Sequence, residues 1–79
     1  MRLENIAPNQ NRVTIEDSEF YFSYNTLIAV RDKEGEFRIE SPSKTTTHHM
    51  KNMGVFDWKI VSEEELAKHL PTTLSRLTK

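Results

Sequence analysis

The side chains best suited to chemistry lie in Ser43-Lys44-Thr45-Thr46-Thr47-His48-His49, where three threonines and two histidines fill five consecutive positions. Hydroxyls beside imidazoles are two of the three parts of a nucleophilic site. The third is an acid that orients the base, and the stretch contains none. Metal binding needs imidazoles that converge. His48 and His49 are adjacent, so on a helix they point about 100° apart and do not share an ion. The only other histidine is His69, and no H-E-x-x-H spacing occurs. Glu63-Glu64-Glu65 supplies three carboxylates, but their place at a helix start explains them as dipole and cap residues. With only Gly35 and Gly54 as glycines, no glycine-rich phosphate loop is possible. The residues therefore predict no catalytic group, no metal and no cofactor.

A binding role is left for the same stretch. Exposed N–H groups at a helix start, together with Ser43, Lys44 and Thr45, form a candidate site for a phosphate or a partner's carboxylate. The competing reading is structural. Ser43 caps the helix, Met50 and Met53 pack on a sheet, and the His49 ring bonds a threonine hydroxyl or a strand carbonyl. The helix should run from Lys44 to Met53, between the Ser43 cap and Gly54. Its wheel places Thr46, Met50 and Met53 on one stripe, with His49 and Thr45 beside it.

Strands must position this helix. Arg12-Val13-Thr14-Ile15-Glu16 alternates with period two, as does Glu19-Phe20-Tyr21-Phe22-Ser23-Tyr24. Phe20, Phe22 and Tyr24 share one face of the second run, which leaves Tyr21 toward solvent. Leu27-Ile28-Ala29-Val30 is continuously apolar, as in a strand covered on both sides, and Asn25 before it is a candidate bulge. Phe37-Arg38-Ile39-Glu40 alternates again. Val55 to Val61 gives a fourth strand, with Phe56, Trp58 and Ile60 on one face. Ser62 with Glu65 reads as a capping box for a helix that Pro71 stops at Leu70. Leu74 and Leu77 have helical spacing in the tail.

These elements predict an α+β domain: a small antiparallel sheet of three to four strands, in the order β-β-β-α-β-α, with one or two short helices packed on one face. Residues 1–11 are expected to be a flexible lead-in, residues 12–70 the domain, and residues 71–79 a tail. At 79 residues the chain makes one domain with a thin stability margin. Its formal charge of −1, from 11 basic and 12 acidic residues, gives no global pull toward nucleic acid or an anionic membrane. The absence of cysteine excludes disulfides and thiolate metal sites. No apolar run reaches the roughly 20 residues that span a bilayer. A cytoplasmic protein is expected.

Two segments together resemble a known family. Tyr21-Phe22-Ser23-Tyr24-Asn25-Thr26-Leu27-Ile28-Ala29 is similar to a Y-F-S-Y-x-T-x-x-A stretch, and Ser43-Lys44-Thr45-Thr46-Thr47-His48-His49 to an S-x-T-T-x-x-H stretch. Both belong to short, uncharacterised proteins of tailed bacteriophages. The resemblance implies a protein working inside an infected bacterial cell and marks Ser43, Thr45, Thr46 and His49. It brings no activity with it. The expected function is a non-enzymatic accessory protein that binds a host or phage protein, through the sheet face carrying Tyr21 or through an unpaired strand edge. Self-association would also stabilise so small a core. The alternative is nucleic-acid binding by Arg12, Tyr21, Arg31 and Arg38 on a sheet face, since an exposed aromatic among arginines suits single strands.

Overall fold

The computed structural model describes residues 1–70. It shows one six-stranded sheet, with neighbours in strict chain order. The strands are β1 (Arg2–Ala7), β2 (Gln10–Ile15), β3 (Ser18–Ser23), β4 (Thr26–Asp32), β5 (Gly35–Arg38) and β6 (Lys59–Ile60). Helix α1 (Lys44–Met53) lies between β5 and β6, and α2 (Glu63–Ala67) follows β6. The first five strands form an antiparallel meander. β6 pairs with β5 in parallel, because α1 carries the chain back to the start of the next strand.

This corrects the expected sheet of three to four antiparallel strands. Residues 1–11 are not a loose lead-in: they form β1 and open β2. Pro8-Asn9 is a two-residue hairpin turn, with Asn9 in the left-handed region at φ 62°. Backbone pairing and polar cross-strand bonds hold that hairpin. Asn5 Nδ2 donates to Asn11 Oδ1 at 2.9 Å, and Arg12 reaches Glu4 at 2.8 Å. Three further turns, at Glu16-Asp17, Tyr24-Asn25 and Lys33-Glu34, join the remaining antiparallel strands. The expected strand over Val55 to Val61 shrinks to β6, because Val55 to Trp58 form a turn closed by Trp58 N–H on the Val55 carbonyl.

The register sorts the side chains into two cross-strand rows. One row is Leu3, Val13, Phe20, Val30, Phe37 and Lys59; the next is Glu4, Arg12, Tyr21, Ala29, Arg38 and Ile60. Neighbouring rows lie on opposite faces of a sheet. The helices divide between those faces rather than sharing one, as the sequence suggested. α1 and the turn after it cover the second row: Trp58 packs edge-on to Tyr21 at 5.3 Å, and Arg38 Nη1 meets Met50 Sδ at 3.6 Å. The α2 end covers the first: His69 stacks on Phe37 at 5.1 Å. Phe20, Tyr21, Phe22 and Ser23 are consequently all buried. The irregularity in the ladder falls at Ile28, opposite Tyr21 and Phe22, while Asn25 sits in the turn.

The core is Val13, Phe20, Tyr21, Phe22, Ile28, Ala29, Val30, Ile39, Met50, Val55 and Leu66. Burying each large apolar side chain contributes about 1.5–3 kcal/mol. The ends of α1 follow its sequence closely. Ser43 Oγ accepts from Thr46 N–H at 3.1 Å. At the other end Gly54, at φ 77°, donates to the Lys51 carbonyl, and Val55 N–H donates to the Met50 carbonyl. This is the Schellman arrangement, with Val55 and Met50 both fully buried beside it. Ser62 caps α2 from its Oγ to Glu65 N–H at 3.1 Å. The Glu65 carboxylate turns to Lys68 at 3.4 Å, which gives half a capping box. Leu74 and Leu77, expected in a tail helix, lie outside the described residues. No helix among the described residues is long and apolar enough to cross a membrane.

Candidate functional site

The two motif segments meet where α1 crosses β3. Ser23, last residue of β3, faces the α1 side because it alternates with Tyr21. His49 lies one turn beyond Thr46 on the inward stripe of α1. Their contact is short: Ser23 Oγ to His49 Nδ1 is 2.6 Å. Both residues are buried, at 4% and 6% exposed. The Tyr24 ring leans on His49 at 5.8 Å, and Tyr24 itself holds a left-handed backbone at φ 56°. A bulky residue rarely adopts that conformation, and here the turn that delivers Ser23 requires it. Asn52 Nδ2 adds a third stitch from α1, donating to Gln10 Oε1 at 2.8 Å.

A hydroxyl 2.6 Å from an imidazole has the spacing of a nucleophile and its base. Its burial argues for another role. Each group satisfies a buried polar partner that would otherwise be costly. The pair is a latch between helix and sheet. The sequence placed His49 on the edge of the inward stripe and gave it a threonine or carbonyl partner; the partner is a serine from the other motif.

Thr46 is also buried, and its hydroxyl lies 3.1 Å from Ser43 Oγ. Ser43, Lys44 and Thr45 are exposed, and Thr45 stands off the inward stripe instead of bordering it. The Ser43 hydroxyl already serves the Thr46 amide. Thr47 N–H takes the Ser43 carbonyl, and Thr47 Oγ1 pairs with Ser41 Oγ at 2.6 Å. The start of α1 thus ties the Thr46 and Thr47 amides to Ser43.

The four residues predicted to form a partner surface do not form one. Tyr21 is 4% exposed and Arg38 is 8% exposed, both beneath α1 and the turn that follows it. Burial pushes the Tyr21 phenol above its ordinary range, a shift that Arg12 partly opposes and Glu19 adds to. The phenol donates to Glu19 Oε1 at 2.8 Å. Arg12 is half-buried and bound to Glu4, whose carboxyl it holds below the usual range chiefly through that hydrogen bond, with Arg2 adding to it. Only Arg31 is freely exposed, 3.8 Å from Glu19. The single-strand platform loses its aromatic residue and one of its arginines. The warning in the sequence was Phe20-Tyr21-Phe22, three aromatics in a row, which serves both faces of a strand better than one.

Two further features lie outside the predicted site residues. Asp32, Glu34 and His69 bring ligand atoms within 4.8 Å of one another. Both Asp32 oxygens are occupied there: Oδ1 accepts from Glu34 N–H at 2.8 Å, and Oδ2 meets His69 Nδ1 at 2.6 Å. A shallow groove of about 340 Å³ beside them is lined by Glu16, Asp17, Ser18, Asp32, Lys33 and Glu34. The second feature is an edge of the sheet. β1 is one of its two outer strands and pairs only with β2 among the described residues, with Leu3 70% exposed and Ile6 38% exposed.

Residues 1–68 match a family of unknown function, DUF8033. The chain belongs to this family. The matched span runs from β1 through α2, so the outer strand is part of the family domain and not an appendage. No curated protein and no solved structure matches the chain.

Proposed function

We propose that this chain is a small, non-enzymatic accessory protein, of the bacteriophage type its two motifs resemble, that binds a partner protein in the host cell by strand addition at β1. The observation that carries the reading is the β1 edge, unpaired on its outer side among the described residues, with Leu3 and Ile6 exposed on it. An outer strand offers a row of unpaired N–H and C=O groups, and such edges bind extended segments of other chains. The motif residues support the reading from the other side. Ser23 and His49 bond each other inside the fold, and the exposed Ser43 bonds Thr46 as the helix cap, which leaves other parts of the surface to do the binding.

The test is affinity capture from nuclease-treated bacterial lysate, comparing the wild type with Leu3→Lys. A charge on an edge strand discourages strand addition, and at an exposed position it should alter stability by no more than about 0.5 kcal/mol. A discrete protein retained by the wild type and lost by Leu3→Lys, with the melting temperature unchanged, supports the proposal. Equal retention by both proteins refutes it. Capture that disappears on nuclease treatment moves the assignment to nucleic acid.

A further inference from the structure

Strand β1 meets the sheet on one side. It pairs with β2 and, among the described residues, with no other strand. Natural sheet edges are blunted by lysine, by proline or by a bulge. The strand Arg2-Leu3-Glu4-Asn5-Ile6-Ala7 contains neither lysine nor proline. Its ladder irregularity falls between Asn5 and Ala7, which leaves Arg2 to Asn5 regular. Leu3, in the middle of that regular segment, is 70% exposed.

The order of side chains in this segment is self-complementary. Residues that face each other across an antiparallel pair lie on the same side of the sheet. A two-fold pair of identical strands therefore sets one residue opposite its own copy. Centred on Arg2 or on Glu4, such a pair opposes like charges. Centred on Asn5, it runs through the irregularity that follows Asn5. Centred on Leu3, it sets Leu3 against Leu3 of the second copy, Arg2 against that copy's Glu4, and Glu4 against that copy's Arg2. The apolar pair extends the row of Leu3, Val13 and Phe20. The charged pairs lie on the other face, where Glu4 already bonds Arg12 at 2.8 Å and its own Arg2 at 3.0 Å. The Arg2 side chain is 71% exposed, so a change of its rotamer moves it from its own Glu4 to that of a neighbour.

We infer that the β1 edge pairs antiparallel with the β1 edge of a second copy of this chain, in the register centred on Leu3, and joins two six-stranded sheets into one. The inference rests on the reading of β1 as a strand-adding edge, and it names the occupant of that edge in the free protein. Two-fold, self-complementary contacts are the commonest way in which identical chains associate. A strand pair this short falls below the ~1,000 Å² that a stable interface clears. The dimer is therefore weak, and a partner that makes a larger contact displaces it.

The test is sedimentation equilibrium of the full chain over a concentration series reaching ~1 mM, where a weak pairing is populated. The wild type should show a monomer–dimer equilibrium. Arg2→Glu and Glu4→Arg each set like charges against one another at both ends of the pair, and each should weaken dimerisation by roughly tenfold. An equimolar mixture of the two variants should restore association to near the wild-type level, because each chain then faces the opposite charges on the other. Leu3→Lys should leave the chain monomeric. A wild type that stays monomeric throughout overturns the inference. So does a mixture that associates no better than its two components, or a dimer that Leu3→Lys retains. Partner capture from lysate is read separately: a monomeric wild type whose captured partner is lost on Leu3→Lys overturns self-pairing and leaves the strand-addition reading standing. Should Glu4→Arg fail to fold, since it gives up the bond to Arg12, the other two variants decide: unchanged dimerisation in Arg2→Glu or Leu3→Lys overturns the inference.

Discussion

Helix α1 and strand β1 use polar residues to opposite ends. On α1 two of them reach the sheet: His49 to Ser23 and Asn52 to Gln10. On β1 the pattern is reversed. Arg2, Glu4 and Asn5 bond one another or the next strand at the surface, while Leu3 and Ile6 face solvent. One region directs its polar groups into the protein and gains a unique packing. The other leaves apolar groups outside and gains an open edge. The residues with the most chemical character hold this fold together, while the least distinctive strand lies at an edge of the sheet.

The contrast can be broken most forcefully under α1. Met50 is fully buried, so Met50→Ala should cost about 2–5 kcal/mol. A small domain has only about 5–15 kcal/mol in total, so urea unfolding should show a large drop in midpoint. The latch is the next step down. Ser23→Ala or His49→Ala strands one buried polar partner and should cost about 1–3 kcal/mol. The double mutant should cost less than the sum of the two, and that shortfall measures the bond. Capture of a partner at β1 should survive both changes. Additive costs would show that the latch contributes nothing.

The smallest effect belongs to the β1 hairpin. Arg12, and then Arg2, hold the Glu4 carboxyl below its reference value of 4.5. A depressed carboxyl pKa stabilises the folded state above the unfolded value, and that contribution is lost as pH falls below about 4.5. Thermal melts between pH 6 and pH 3 should therefore fall further for the wild type than for Glu4→Gln. Parallel curves would show that the ion pair does not hold the hairpin.

The parts of this fold legible in the sequence are those set by a few neighbouring residues. Ser43 and Gly54 bound α1 at the expected positions, and Ser62 starts α2, because caps are local chemistry. The overall sheet was under-read for two reasons. The β1 segment R-L-E-N-I-A is an edge strand that buries little, so it lacks the alternation that reveals strands. Its hairpin, and those at Glu16 and Tyr24, use non-glycine left-handed residues, which carry no strong turn signature. The candidate surface failed for a tertiary reason. Alternation in Phe20 to Ser23 and in Phe37 to Glu40 shows two faces, but not that Trp58, Met50 and Phe56 come back to cover Tyr21 and Arg38. The Ser23–His49 bond was equally hidden, since it joins residues 26 apart in the chain. Resemblance marked both segments without saying that they touch.

Hydrogen exchange tests most directly whether the edge, and not the motif helix, is the working surface. It would be read on the free protein and on the protein bound to its captured partner. Strand addition hydrogen-bonds the outward amides of β1. The account therefore predicts at least about tenfold slower exchange over residues 2–7 in the complex, with residues 44–53 unchanged. Slowing confined to residues 44–53, with residues 2–7 exchanging as in the free protein, would contradict it.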